Sequence, residues 1–457
     1  MTAIRFGTDG WRGVIGEDFT AAQLDLIGHA YASFLQTQGE GEVVVGYDTR
    51  FLGHRFAARL AHLLAEAGFQ VRLPSQPLPT PVLSFATRHR QALGGVMLTA
   101  SHNPPEYNGL KFKGPYGGSA TPELVAQIER HLGRSPELRK GEVEELQIRS
   151  AYFEQLAQRL DMEALRQFSA PLYHEAMGGS SGGWVAAFVR WAKLPFEVRE
   201  LHPVPHPLFY GVNPEPIPAN LETLRVVMGI ERDPSFAMAN DGDADRLGVV
   251  LAGGRYLDSH QIFLLLLQHL ARRGLKGKLV KTISTSRLVD LLARDLGFEV
   301  LTTPVGFKHI VRELLQGNVL IGGEESGGFA VAGHIPERDG LLNGLLLAEM
   351  VASEGKPLGT LYQELEDRLG FAHHYERLDL PVSGQGSSII ERLREPPADW
   401  ASQVERVQDL DGVRWDFHDG SWLMFRFSGT EPLLRIYCEA PSPARLQELL
   451  ERARALI

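Results

Sequence analysis

The apolar positions of the chain switch period several times. Short β-branched or apolar runs at 43–45, 95–99 and 319–321 read as strands. Between the runs, apolar residues recur at helical spacing, as in Phe56, Leu60, Leu63, Leu64 and Ala67, or Leu288, Leu291, Leu292 and Leu296. Phe307, Ile310, Val311, Leu314 and Leu315 fall at i, i+3, i+4, i+7 and i+8, one face of an amphipathic helix. Strands alternating with such helices predict βαβ units, a largely parallel sheet and an α/β fold. Further strands are expected near Val71 and at 196–201, 236–240, 279–283 and 300–302, with helical patterns at 152–168 and 184–191 that place Trp184 and Trp191 in the core. Three times a strand runs into a polar or glycine-bearing loop. From about Phe371 the pattern changes, because 415–417 and 422–427 alternate like a hairpin around Asp419-Gly420, as in an α+β module. With a charged stretch at 133–145, these shifts predict units at 1–146, 147–254, 255–370 and 371–457.

Composition narrows the function. The 457 residues carry 46 Lys and Arg against 56 Asp and Glu, a formal charge of −10, which disfavours a nucleic-acid partner. The 44% of hydrophobic residues is enough to fill real cores, and 48 glycines with 27 prolines point to shaped loops. One cysteine, Cys438, allows neither an intrachain disulfide nor a thiolate metal cluster, and its apolar surroundings suit packing. The longest apolar run, at 262–267, falls far short of the roughly 20 residues that cross a bilayer, and residues 1–10 lack an apolar leader core. A cytoplasmic protein without a membrane partner is expected.

The strongest chemical signal is Asp241-Gly242-Asp243-Ala244-Asp245-Arg246, placed after a strand. Three carboxylates at alternate positions of a glycine-containing loop can converge on a hard divalent cation. An EF-hand does not fit, since its sixth and twelfth positions would be Arg246 and Ala252. An aspartyl-nucleophile phosphatase loop remains a rival. Ser101, in Thr99-Ala100-Ser101-His102-Asn103-Pro104-Pro105, sits in a loop that the prolines force to turn, where a serine can serve as nucleophile or phosphoryl carrier. Adjacent side chains in extended backbone face opposite ways, so Ser101 and His102 do not read as a dyad. Lys111 is near enough in sequence to fold back over Ser101. Arg12 lies in the turn Thr8-Asp9-Gly10-Trp11-Arg12-Gly13. Arg426-Phe427-Ser428-Gly429-Thr430-Glu431-Pro432 offers an arginine, hydroxyls and N–H groups suited to a phosphate monoester. Gly323-Glu324-Glu325-Ser326-Gly327 offers carboxylates and a hydroxyl for sugar hydroxyls, with His334 as a candidate neighbour.

Together these five segments, in the order in which they follow along the chain, resemble the α-D-phosphohexomutase superfamily and within it the phosphoglucomutase/phosphomannomutase family. The resemblance spans nearly the whole chain. It implies four domains around a central cleft, three α/β units of related topology and a smaller, differently folded α+β one at the C-terminus, and a phosphoryl relay on a hexose phosphate: a phosphoserine at Ser101, one Mg²⁺ held by Asp241, Asp243, Asp245 and the seryl phosphate, and glucose 1,6-bisphosphate as intermediate. By the same resemblance Arg12, His102, Lys111, Arg246 and His334 would serve the reaction centre. Thr8, Asp9, Gly306, Lys308, Glu324, Ser326, Arg426, Ser428, Gly429, Thr430 and Arg435 would bind substrate. Lys111 is the first candidate for the base, followed by Arg12 and His334. The Glu324-Glu325-Ser326 triplet resembles glucose-directed members, with mannose, glucosamine or dual specificity as alternatives, and a phosphatase or a sugar-phosphate sensor as other classes. A monomer or homodimer is expected.

Overall fold

In the computed structural model, residues 4, 6–7, 10–382, 386–428 and 433–457 are described, the side chains of 386–388 apart. Three α/β sheets and one antiparallel sheet follow one another along the chain. In the first, strands Glu42–Tyr47, Gln70–Leu73 and Gly94–Leu98 are parallel, with Glu42–Tyr47 in the middle, and Gly94–Leu98 then turns back into antiparallel Tyr107–Gly114. Trp11–Val14 extends that edge, setting Arg12 opposite Gly109 and Trp11 opposite Leu110. The second sheet repeats the plan. Leu172–Glu175 lies between Val198–Leu201 and Phe236–Asn240, and Phe236–Asn240 returns as antiparallel Leu247–Leu251. The third repeats it again with Lys278–Thr282 between Val300–Thr303 and Val319–Gly323, the latter pairing antiparallel with Phe329–Val331. The expected common topology of the first three units is thus one strand order used three times, and each returning turn carries one candidate motif.

The last sheet is wholly antiparallel, in the order His374–Pro381, Leu433–Ala440, Trp422–Phe427, Val413–Phe417, Val404–Gln408. The hairpin expected around Asp419-Gly420 joins Val413–Phe417 to Trp422–Phe427. Two expectations change. The helical pattern at 152–168 is two helices, Arg149–Arg159 and Met162–Gln167, because the Asp161 carboxylate accepts the N–H groups of Glu163 and Ala164 and starts a second helix. Trp191 is 40% exposed at the end of Trp184–Trp191, whereas Trp184 is buried. The apolar run at 262–267 belongs to Ser259–Arg272, buried between neighbouring elements, and no helix among the described residues is long and apolar enough to cross a membrane.

One apolar core runs from the Thr80–His89 helix through the second and third units, whereas the last unit packs around its own, built on Trp400, Trp415, Phe425 and Cys438. A small patch of Ile283, Trp422, Met424 and Tyr437 joins the last unit to the third. The first and third units are also pinned by a fully buried pair, Lys113 Nζ to Glu337 Oε2 at 2.6 Å, with the Ser84 and Ser119 hydroxyls donating to the same carboxylate.

Candidate active site

Each of the three returning turns contains a residue in the left-handed region: Ser101 (φ 53°), Ala244 (φ 62°) and Gly327 (φ 87°). For Ser101 and Ala244 this conformation is strained, and it persists only because the surroundings hold it. The Ser101 N–H donates to Thr99 Oγ1 at 2.8 Å, and Thr99 Oγ1 donates to Asp48 Oδ2 at 2.6 Å. Beneath the turn lies Arg50, which is 3% exposed. Its Nη1 donates to the Pro104 and Tyr107 carbonyls, its Nη2 to those of Ser101 and Asn103, at 2.6–2.8 Å, and its Nε to Asp48. Burial pushes the Asp48 carboxyl up to about 6 against the pull of Arg50.

Ser101 is 1% exposed, and its hydroxyl donates to Asp241 Oδ2 at 2.7 Å across 140 residues of sequence. Asp241, Asp243 and Asp245 are fully buried, with one oxygen from each within 4.8 Å of the others. The Lys111 ammonium donates to Asp243 Oδ2 at 2.8 Å and Asp245 Oδ2 at 2.9 Å. Thr80 Oγ1 also donates to Asp243 Oδ2, at 2.6 Å, and Arg338 pairs with Asp245 Oδ2 at 2.7 Å. Burial and the neighbouring Asp245 and Asp243 push the Asp241 carboxyl well above its ordinary value. Burial opposes ionisation of Asp243 too, yet Lys111 and the Thr80 hydroxyl hold it below.

Asp243 Oδ1 and Asp245 Oδ1 are buried without a hydrogen-bond partner. Two orphaned carboxylate oxygens beside a raised third carboxyl are the donor set that a hard cation satisfies, so Asp241, Asp243 and Asp245 fit a divalent oxygen-bound metal, with Ser101 beside them. The loop is also buttressed from behind. Helix Gly340–Glu354 begins against it, Gly340 N–H donating to Ala244 O at 3.1 Å, and a Cβ at Gly340 would stand 2.3 Å from Asn240 Nδ2 and 2.4 Å from Arg246 O. Only glycine lets the helix approach so closely.

Three more cationic or imidazole groups gather here. Arg12 donates to Asn103 Oδ1, within the serine turn. Arg246 is anchored by Glu215, at 2.9 Å, from the proline-rich loop at 202–218, while its N–H donates to Asp241 Oδ1. His102 is kept neutral: burial lowers its pKa well below the ordinary value, and Arg246, Arg12, Lys111 and Arg377 push it the same way. Lys111, expected as a base, stands in this geometry as donor and counter-charge to two carboxylates.

The sugar-type loop connects through Arg338, whose guanidinium also pairs with Glu324 Oε2 at 3.4 Å. Glu324 Oε1 accepts the Gly306 N–H at 3.1 Å, just before the helix Phe307–Gln316 that carries half-buried Lys308. Ser326 is half-buried in the same turn. Glu325 points elsewhere: its carboxylate accepts Tyr375 Oη at 2.9 Å and faces Arg377, both in the last unit. In the last sheet Arg426 and Arg435 are direct cross-strand partners, and the Ser428 N–H donates to Leu433 O. Arg426 Nε donates to Asp411 Oδ2, which also accepts the Val305 N–H, so one carboxylate ties strand Trp422–Phe427 to the third unit. Thr8, Asp9, Gly429 and Thr430 lie outside the described residues.

His334 is placed apart from the residues gathered around Ser101. Its Nε2 meets Asp339 Oδ2 at 2.8 Å and its Nδ1 meets Gln155 at 3.3 Å, with Tyr152 donating to the same Asp339 oxygen. It is held in the seam between the second and third units, and no described hydrogen bond or ion pair joins it to Ser101, Lys111 or the aspartates. Sequence reasoning missed Arg50, Thr80, Glu215, Arg338, Arg377 and Asp411. The available signals were Asp48-Thr49-Arg50 after a strand and Arg338-Asp339-Gly340 opening a helix.

Comparison with known proteins agrees along the chain. Family models described as phosphoglucomutase/phosphomannomutase alpha/beta/alpha domains I, II and III match residues 3–139, 150–254 and 258–369, and the model of the C-terminal domain matches 390–456. A protein named phosphoglucomutase/phosphomannomutase from Thermococcus kodakarensis is 33% identical, covering 98% of this chain and 96% of its own. One named probable phosphoglucosamine mutase from Methanothermobacter thermautotrophicus is 31% identical over 99% and 97%. A solved structure from Thermus thermophilus, described provisionally as a phosphomannomutase, is 47% identical with a TM-score of 0.91, covering 100% of this chain and 99% of that one.

Proposed function

Since the chain belongs to the phosphoglucomutase/phosphomannomutase family, isomerases that interconvert sugar phosphates, we propose that it interconverts glucose 1-phosphate and glucose 6-phosphate through phospho-Ser101 and glucose 1,6-bisphosphate. The observation that carries this reading is the Ser101 hydroxyl held 2.7 Å from Asp241 in a buried centre where Asp243 and Asp245 each keep an unpartnered oxygen. Ser101 carries the phosphoryl group, and the strained turn braced by Arg50 aims it. Arg12, Lys111 and Arg246 place positive charge around the transferred group, and Arg426, with Ser428 and Arg435, grips the phosphate that does not react. Catalysis is then positioning and electrostatics. A bound Mg²⁺, held by the three aspartates and the seryl phosphate, supplies neutralisation of the phosphoryl oxygens. Gly306, Lys308, Glu324 and Ser326 face the sugar. The bisphosphate must bind in two orientations, so these contacts serve hydroxyls and a terminal phosphate that nearly superpose after it turns.

The test is intact-mass spectrometry after incubation with glucose 1,6-bisphosphate: one added phosphoryl group is expected on the wild type and none on Ser101→Ala. Release of inorganic phosphate with an unmodified Ser101 would overturn the relay in favour of a phosphatase. A second reading, activity on mannose 1-phosphate as well, is favoured by Glu325. Its carboxylate is taken by Tyr375 and Arg377, which removes from the sugar loop the residue that distinguishes the glucose-like triplet. Comparing kcat/KM for glucose, mannose and glucosamine 1-phosphates separates the readings.

A further inference from the structure

Strand Leu172–Glu175 runs through the interior of the second sheet and is buried along its whole length, a setting that favours apolar residues on both faces. His174 breaks that pattern. It is fully buried, and its direct cross-strand partner is Glu200 of Val198–Leu201, while on the other side it pairs with Met238, two residues before Asn240. Side chains two apart along a strand share a face, so Glu200, His174 and Asn240 form a polar row across three adjacent strands. His174 Nδ1 lies 3.1 Å from Glu200 Oε1, and its Nε2 lies 3.0 Å from Asn240 Oδ1. Asn240 Nδ2 donates to the Arg246 carbonyl at 2.8 Å, which turns Oδ1 toward the imidazole and makes Nε2 the donor there. Burial opposes ionisation of Glu200, yet His174 and the Gly183 N–H, 2.8 Å from the same oxygen, hold its carboxyl below the ordinary value.

We propose that His174 is a positioning residue for the divalent cation site, acting through Asn240 on the loop that carries Asp241, Asp243 and Asp245. The inference deepens the proposed function and rests on its metal reading of the three aspartates. Asn240 immediately precedes these aspartates and Arg246 immediately follows them, so the Asn240 side chain on the Arg246 carbonyl closes the loop across its neck. A second tie, the Arg246 N–H on Asp241 Oδ1 at 3.0 Å, crosses the same neck. Inside it Ala244 sits at a φ of 62°, a conformation that persists only where the surroundings enforce it. A buried Oδ1 left without a donor is unfavourable. The Asn240 amide relieves that by shifting, and in shifting it lets go of Arg246. His174 supplies the donor that keeps the amide in place, and Glu200 in turn fixes the ring. Carboxylates whose spacing is set before the ion arrives hold it more tightly than carboxylates that must be gathered.

Two substitutions separate this link from the rest of the histidine. Glutamine carries its amide N–H near the place of Nε2 and asparagine near that of Nδ1, so His174→Gln keeps the donor to Asn240 and His174→Asn keeps the donor to Glu200. Mn²⁺, a hard cation suited to oxygen ligands, is titrated into the full chain at one phosphorylation state, and the free ion is read by electron paramagnetic resonance. Asp243→Asn marks the binding that belongs to the aspartates. His174→Asn is expected to weaken that binding roughly tenfold or more, and His174→Gln to stay within about threefold of wild type. Asn240→Ala removes the link from its other end and is expected to show the same loss as His174→Asn. The double variant His174→Asn/Asn240→Ala is expected to bind no more weakly than Asn240→Ala alone, because both changes act through one contact. Where circular dichroism shows that His174→Asn does not fold, Asn240→Ala against His174→Gln carries the same comparison. Equal weakening in the compared variants, additive losses in the double variant, or no Mn²⁺ held by the aspartates of the wild type overturns the proposal. Failure of the relay is read separately: a wild-type chain that binds Mn²⁺ as expected but gains no phosphoryl mass at Ser101 refutes the mutase reading and leaves the role of His174 standing.

Discussion

Arg50 uses its whole donor set on backbone and one carboxylate: four carbonyls of the Ser101 turn accept from its Nη groups, and Asp48 from its Nε. A lysine has three donors on a single centre and cannot span these acceptors. Arg50→Lys therefore leaves at least one or two buried carbonyls unsatisfied, a cost of about 2–4 kcal/mol. We expect a lower urea midpoint with an unchanged slope, and, on the proposed relay, kcat reduced more than tenfold with KM little altered, since the turn that holds Ser101 loosens while Arg426 and Arg435 keep their places. An unchanged kcat would show that the Ser101 turn holds its shape without Arg50. The same residue marks a boundary of what is legible. Asp241, Asp243 and Asp245 could be read from the chain because their own side-chain oxygens are the chemistry. Arg50 could not, because its partners are main-chain carbonyls, which every residue has and no motif announces. His334 shows the converse: its imidazole was visible in the sequence, but the partners that occupy it, Asp339 and Gln155, come together only in the fold.

Among elements, the passage from the third unit to the last is guarded by His373, one residue before strand His374–Pro381. Its imidazole lies between Asp258 of the third unit, 2.9 Å from Nε2, and Glu439 of the last, 2.5 Å from Nδ1. Glu439 also accepts the Arg287 N–H, the Ser286 hydroxyl and the Trp422 indole N–H, and His260 stands beside the cluster. Burial alone would depress the histidine, but the two carboxylates raise it to about 10 from its ordinary 6.5. Against the effect of burial, His373 lowers Glu439 to about 2 from 4.5, and also lowers Asp258. A raised histidine stabilises fully below about 6.5 and loses that contribution as the pH climbs through 10. The depressed carboxylates contribute above about 4.5 and lose theirs as the pH falls toward 2. The cluster is therefore at full strength between about 4.5 and 6.5. His373→Gln should lower the melting temperature most at pH 6, and the gap from wild type should narrow steadily up to pH 10. A gap that stays constant across that range would count against the cluster as an ionic fastening. Helical and strand periodicity located the elements it placed to within two or three residues and left others, such as helices Ala21–Gln36 and Gly340–Glu354, unread. The failure at Asp161 came from a cap, a polar side chain that starts a new helix inside an otherwise continuous apolar pattern.

For the molecule as a whole, the separate core of the last unit predicts uneven stability. The first three units share apolar packing across their seams, whereas the fourth meets them through a small apolar patch, the His373 cluster and the Asp411 link. Amides of Trp422–Phe427 and Leu433–Ala440 are thus expected to exchange through an opening that needs less denaturant than the one exposing Leu172–Glu175 and Phe236–Asn240. Native-state hydrogen exchange read by mass spectrometry checks this, and a single opening common to all four strands would contradict it. The fourfold division was visible in the sequence because the last stretch changes period. That the first three sheets share one strand order was expected from the resemblance rather than from the residues themselves, because topology depends on which strands pair and no residue-level repeat survives to report it.

The three returning turns have a consequence for how the protein comes to exist as a catalyst. Ser101 belongs to one sheet and the three aspartates to a second. The second domain, folded alone, owns the carboxylates but not the serine beside them. Full metal affinity should therefore arise late, at the moment the first domain arrives. A metal titration taken during refolding would act as a clock for docking, silent while the sheets form and responsive only once they have met.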